Sequence, residues 1–266
     1  MKNTVITAEP TLTTSSNNTS DASGLYKSTA TNTGEPTYYF RGNVTNNYVS
    51  FAGQTWRIVR INEDGTIRII MQDGINDNTK YKFNSNYNNY TYMYYSNSQA
   101  KSTLENWYQT NIESKSNLAQ NVATGAYYCE QAKVKNSSSW TSGNANMTVY
   151  SSYTSSFKCA EDGNNKGLIN SSIGLLSYDE VVYAGGYYNQ NNRDYYLNNS
   201  SIYWYTISPA GFFSSSRVWV ITHVGTIYNY YAGVNDSHCL RPVINLKSDT
   251  QISSGDGTKD SPFVVE

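Results

Sequence analysis

The sequence predicts an α+β fold with small antiparallel sheets, two short helices and long loops rich in Tyr, Asn and Ser. Three observations carry that prediction. Runs dense in β-branched and aromatic residues cluster in two separate regions, 38–71 and 202–246, as strands require. Two Ser-x-x-Glu spacings stand between these regions, each at the head of an apolar group with helical intervals. No linker divides 37–266 and no internal repeat is apparent, so a single domain is the economical reading.

The first 36 residues read as a polar, disordered lead, because Thr, Ser and Asn dominate them and no apolar run reaches signal-peptide length. Such a lead suits a segment that follows a membrane anchor, so contact with a membrane is expected only through an N-terminal anchor outside this sequence. Strands are then expected at 38–41, 48–51 and 55–61. Asn62-Glu-Asp-Gly65 supplies a turn whose glycine tolerates positive φ, and 66–71 returns, so 54–71 forms a hairpin. The Tyr-rich stretch 73–100 suggests ordered loops pinned by their tyrosines.

Ser102-x-x-Glu105 has capping-box spacing ahead of Leu104, Trp107, Tyr108 and Ile112, which predicts the first helix. Ser177-x-x-Glu180 predicts a second, running through Val181, Val182 and Tyr183 to Gly185-Gly186, a left-handed stop. Asp179 and Glu180 are adjacent on that helix and therefore point apart, so they suit its positive N-terminus better than a catalytic pair. Further strands are expected at 202–208, 217–221, 225–231 and 241–246.

Cys129 and Cys159 bracket a Ser/Asn/Gly-rich stretch, and a bridge across it would remove unfolded-state entropy worth roughly 3–4 kcal/mol. We expect that disulfide, with Cys239 free; two buried thiols in a reducing compartment are the alternative. A disulfide implies an exported protein, extracellular or at the cell surface. The three cysteines and two histidines, His223 and His238, form no metal-binding spacing, so no metal and no cofactor is expected.

Composition narrows the partners. Asn, Ser, Thr and Tyr contribute 33, 34, 26 and 26 residues, whereas 19 basic and 20 acidic side chains nearly cancel. Their scatter argues against nucleic acid or an anionic membrane as partner and favours recognition by uncharged hydrogen-bonding groups, of a protein or a glycan.

The order of motifs resembles the C-type lectin-like domains of bacteria and phages. These motifs are Gly174-Leu-Leu-Ser-Tyr-Asp-Glu-Val-Val-Tyr-Ala-Gly-Gly186, Tyr203-Trp-Tyr-Thr-Ile-Ser-Pro209, Val218-Trp219 and Leu240-Arg-Pro-Val-Ile-Asn-Leu246. The first looks like the helix start of the formylglycine-generating-enzyme branch, and the last like its closing strand. The Trp-Arg-Ile-Val-Arg-Ile-Asn hairpin at 56–62 and Arg-Pro-Val-Ile-Asn-Leu at 241–246 are similar to surface-displayed proteins of gut Gram-positive bacteria. The likeness runs from about Gly24 to Glu266 and implies a C-type lectin-like fold.

Some members of that group are variable proteins of diversity-generating retroelements, in which asparagine codons are rewritten to Tyr, Ser, Asp, His or Cys. Between Ser214 and Cys239, 13 of 26 residues are Asn, Tyr, Ser, Asp, His or Cys, against 109 of 266 in the whole chain, a slight enrichment. Arrangement adds weight, because apparent scaffold positions (Trp204, Val218, Trp219, Gly225, Ile227 and Arg241) alternate with candidate variable ones. An AT-rich genome encoding much Asn, Tyr and Ile is the competing explanation.

The resemblance therefore implies a non-catalytic, surface-displayed receptor or adhesin whose variable region spans 210–240. Tyr supplies rigid contact area, and Ser and Asn supply adaptable hydrogen bonds, as in antibody paratopes. The expected binding face comprises Phe213, Ser214, Ser216, Thr222, His223, Tyr228, Tyr230, Tyr231, Asn235, Asp236 and His238 on one exposed surface. A structural stalk or pilus-associated subunit is one alternative. A formylglycine-generating-type oxidase relative is the other, opposed by the single cysteine, Cys239, in the C-terminal region and by the absence of an orienting acid for it. Asp249, Asp256 and Asp260 match no calcium-loop spacing.

Overall fold

The computed structural model describes residues 4–10, 12, 21–130, 145–146, 154–159, 167–228 and 232–266. Its first strands are Val5–Ile6 (β1), Gly24–Ser28 (β2), Thr37–Arg41 (β3), Tyr48–Phe51 (β4), Gln54–Ile61 (β5) and Ile67–Met71 (β6). The expected hairpin is present. β5 and β6 pair antiparallel from Trp56↔Met71 to Ile61↔Ile67, with an irregularity between Ile58 and Arg60. Its turn closes through Asn62 N–H to Thr66 O at 2.8 Å and Gly65 N–H to Asn62 O at 3.0 Å. Gly65 sits at φ 82°, where a side chain would be strained.

The polar lead ends earlier than residue 36. β2 pairs antiparallel with all five residues of β3, and Tyr26 is buried. Its ring joins Tyr39, Phe157 and Tyr183 in a small aromatic cluster against which Ile6 and Leu12 pack. The Ser, Thr and Asn residues flanking Gly24–Ser28 hide a strand too short to announce itself by composition.

Between the two strand-rich regions lie Ile75–Asn78 (α1), Lys80–Lys82 (β7), Gln99–Tyr108 (α2), Ser116–Ala119 (α3), Ala126–Cys129 (β8), Ala145–Asn146 (β9), Leu168–Ser171 (β10) and Tyr178–Ala184 (α4). The described residues thus hold four α-helical segments where two were expected. The additional two are single turns; in α1, Asn76 and Asp77 adopt left-handed φ/ψ, which side chains of this short polar type tolerate.

α2 starts four residues before the expected point. Ser98, not Ser102, caps it by accepting the Lys101 N–H, because the apolar stripe reaches back to Ala100. α4 matches its prediction: Ser177 Oγ accepts the Glu180 N–H, Glu180 returns the bond to the Ser177 N–H, and Gly185 stops the helix at φ 115°.

The remaining strands are Tyr187–Tyr188 (β11), Trp204–Phe212 (β12), Ser216–Ile221 (β13), Thr226–Tyr228 (β14), Ser237–Cys239 (β15), Val243–Leu246 (β16), Ile252–Ser254 (β17) and Phe263–Val265 (β18). One sheet runs β1-β2-β3-β5-β4-β18-β17, with β6 also on β5 and β16 on β6. A second runs β11-β14-β13-β12-β15-β7, with β9 on β12, and β8 pairs with β10 alone. The chain is therefore α+β, dominated by sheets.

Trp56, Trp204 and Trp219 are wholly buried in the main core, and Trp107 lies at its margin. Buried arginines reach backbone carbonyls at the end of α4, at the end of β6 and in the loop at Leu197. Arg41 donates to Val182 O at 2.7 Å and Tyr183 O at 3.0 Å. Arg241 donates to Met71 O at 3.0 Å and Leu197 O at 2.7 Å, and its guanidinium lies 4.7 Å from the Trp204 ring centre. Each arginine thus gives buried carbonyls the donors that water gives exposed ones. Among the described residues no helix is long and apolar enough to cross a membrane.

Candidate ligand-binding face

The C-terminal candidates hang on the β12–β13 hairpin, whose register runs from Trp204↔Ile221 at one end to Phe212↔Ser216 at the other. Both faces of this hairpin are covered, so nearly every residue of β12 is buried, and exposure is confined to its two ends. That arrangement corrects the expectation of one convergent face. At ~3.3 Å per residue, the six residues of β13 alone hold Ser214 and His223 about 20 Å apart.

At the hairpin tip, Ser214 is exposed at φ 59°, and Phe213 lies half-buried with the Arg217 guanidinium 5.2 Å from its ring centre. Ser216 was expected to face solvent and does not. It is fully buried, its amide donates to Tyr87 O at 2.7 Å, and its hydroxyl donates to Asn89 O, which clasps the 87–89 loop to the hairpin.

Thr222 is likewise buried. Its Oγ1 accepts the Thr226 N–H at 3.1 Å, so it closes the β13–β14 turn from inside. Asn235 and Asp236 form a turn in which Asp236 Oδ2 accepts the Gly233 N–H at 3.0 Å; Asp236 is exposed and Asn235 half-buried. Tyr228 is half-buried on β14 opposite Val220. Tyr230 and Tyr231 lie outside the described residues.

At the opposite end of the hairpin the two histidines meet a residue that the expected binding face did not include. Tyr203 is 37 % exposed. Its ring centre is 5.1 Å from His223 and 5.9 Å from His238, to which it stacks at 23°. Tyr205 closes the group, 4.9 Å from His238, and its hydroxyl donates to Asp236 O at 2.8 Å. Burial, and then the Asp236 charge, raise the Tyr205 pKa, so this phenol stays a neutral donor. Strand alternation could not have found Tyr203, because Tyr205, on the other side of Trp204, is fully buried and Tyr203 stands just ahead of β12.

Beside this group the Cys239 thiol is enclosed and donates to Asn78 O at 3.2 Å. Burial raises its pKa against the opposing pull of Lys80 and Arg241, which leaves a poor nucleophile. Cys129 and Cys159 are bridged, with Cα atoms 5.4 Å apart, and Cys239 is free. Among the described residues no group of three or more His, Cys, Asp or Glu side chains is placed to hold a metal ion.

On another side of the molecule the two hairpin arginines enclose Glu180. Its Oε1 accepts from Arg68 Nη1 and from Arg60 Nε, the latter at 3.3 Å, while Oε2 accepts the Ser177 N–H at 2.9 Å. Burial alone would raise the Glu180 pKa, but Arg68 and Arg60 outweigh it and hold the carboxyl below its usual range. Arg68 Nε continues to Asn245 Oδ1 at 3.1 Å, and Asn245 Nδ2 donates to the Tyr128 hydroxyl at 3.1 Å. This network borders a cleft of about 470 Å³, which the sequence reading missed because its described walls come from six separate segments.

No protein family, no curated protein and no solved structure matches this chain.

Proposed function

We propose that this chain is a non-catalytic ligand-binding domain of the C-type lectin-like kind, displayed outside the cell as a receptor or adhesin with a diversified C-terminal region. The observation that carries the reading is the division of 203–241 into two populations. All six positions read as scaffold, Trp204, Val218, Trp219, Gly225, Ile227 and Arg241, are buried, whereas Ser214, His223 and Asp236 are exposed. Residues at the exposed positions are free to vary without disturbing the core.

The Tyr203, His223 and His238 group is the preferred contact point. It offers clustered aromatic rings at modest exposure, the chemistry of an aromatic anchor. The disulfide supports an oxidising location. The enclosed Glu180 carboxylate and Cys239 thiol leave neither group poised for proton transfer or attack, which favours binding over catalysis.

Arrays of cell-surface proteins and of glycans, probed with the purified domain and with Tyr203→Ala/His223→Ala, test the proposal. A ligand retained by the parent and lost by the folded variant supports it. Indifference of every captured ligand to the variant overturns the assigned face.

A further inference from the structure

We propose a second site, independent of the face above, in which the cleft between the 62–66 turn and the β8–β10 pair takes the cationic side chain of a basic peptide. Its volume of about 470 Å³ lies within the ~300–1,000 Å³ typical of ligand pockets. One wall is apolar. Strand alternation sends Tyr128 into the core at 1 % exposure and leaves Tyr127, its neighbour, 59 % exposed at the cleft, with Leu168 beside it at 44 %.

The other walls are acceptor-rich. Five carboxylates line the cleft against three basic side chains. The deep charges cancel among themselves: Arg60 pairs with Glu63 at 3.2 Å and with Glu180 at 3.3 Å, and Arg68 pairs with Glu180. Asp179 is engaged by the Ser156 N–H at 3.1 Å. Glu35 and Asp64 remain without a basic partner, both exposed. Asp64 Oδ1 accepts only the Thr66 N–H and hydroxyl, and among the described residues of the lining Lys158 is the single cation left to oppose the two carboxylates.

Asn62 supplies a separate observation. Its Nδ2 donates to Thr66 Oγ1 and Asn245 Oδ1, both at 2.8 Å, while its Oδ1 is buried without any donor. With surplus carboxylates beside it, the described lining is richer in acceptors than in donors, which favours a donor-rich ligand. A guanidinium fits best, because it carries five N–H donors in one plane, accepts nothing, and stacks its face on an aromatic ring such as Tyr127. A sugar also stacks on tyrosine, but it brings as many acceptors as donors and no charge to answer Glu35 and Asp64.

Amide NMR titration of the intact, disulfide-bonded protein with N-acetyl-arginine methylamide, and in parallel with methyl β-glucoside, tests the site. The expected result is saturable shifts of amides in 62–66 and 126–129 with the arginine probe alone. Glu35→Gln/Asp64→Asn should weaken that binding by about tenfold while the thermal midpoint stays unchanged, since both residues are exposed and Asn keeps the oxygen that Thr66 bonds. Absence of saturable shifts, unaltered affinity in the double variant, or shifts from the glucoside instead would each overturn the assignment.

Discussion

Asn62 Nδ2 donates to Asn245 Oδ1 at 2.8 Å across 183 residues of chain. The bond joins the ends of two motifs that the sequence reading singled out separately, 56–62 and 241–246. Asn245 is completely buried and serves Asn62, Arg68 and Tyr128 at once. These motif residues therefore hold one sheet together by a shared polar knot, and they owe their pattern to folding, whatever the ligand.

Asn245→Ala should consequently cost about 3 kcal/mol, because it strands several buried donors rather than removing one bond. Asn62→Ala should cost about 1 kcal/mol, and a double-mutant cycle should return a coupling of similar size. Urea unfolding of the four proteins measures it; strict additivity would show that the two asparagines act independently.

Glu180 makes stability depend on acid. Its carboxyl is held below its ordinary value of 4.5, so the stabilisation is complete above that pH and is lost as pH falls through the lower, folded-state value. Glu180→Gln should lower the thermal midpoint at neutral pH, costing about 3–5 kcal/mol by leaving Arg60 and Arg68 uncompensated. The gap between parent and variant should shrink on acidification. A gap that stays constant into strong acid would mean that the carboxylate is not what the arginines require.

Cysteine chemistry gives a third outcome. Iodoacetamide under non-reducing conditions should label no thiol in the native protein and Cys239 alone after unfolding. Cys129→Ser/Cys159→Ser should destabilise by about 3–4 kcal/mol for a bridge spanning 30 residues. A non-reduced digest that places Cys239 in a bridge would contradict the structure.

Trp219 and Tyr203 separate scaffold from surface. Trp219 is wholly buried, its ring 5.0 Å from Tyr178 and 5.5 Å from Tyr188, so Trp219→Ala should cost about 3–5 kcal/mol. Tyr203→Ala should cost about 1 kcal/mol or less, the loss of a partly exposed ring contact. Thermal midpoints that rank the two variants the other way would reverse the assignment of faces.

Much of this architecture was legible in the sequence where local chemistry decides it. The Asp64-Gly65 turn and the Ser177 and Glu180 cap are set by residues within a few positions of each other, and both form as expected. The loop composition around Cys129 and Cys159 likewise pointed to their bridge. Ser216 and Thr222 misled because a hydroxyl reads as a surface group until its acceptor or donor is known, and those partners come from the 87–89 loop and the far side of a turn. The split of the binding face followed from assuming that neighbouring loops share one end of a sheet, whereas β12 is nine residues long and keeps its two ends apart. The cleft was invisible for a related reason: Glu35, Asn62, Tyr127 and Asp179 meet only after the sheets have closed.

That closure has a kinetic consequence. β6 completes its pairing only with β16, where Ile67 meets Leu246, and β4 is flanked by β18, where Val49 meets Phe263. Strands made first thus wait for strands made last, and such non-local pairing slows folding through the cost of closing large loops. During synthesis β4 and β6 remain half-paired edges until the final segments arrive, a period in which aggregation competes. The same delay keeps the nascent polypeptide open and threadable until its last strands are made, as the proposed export would require.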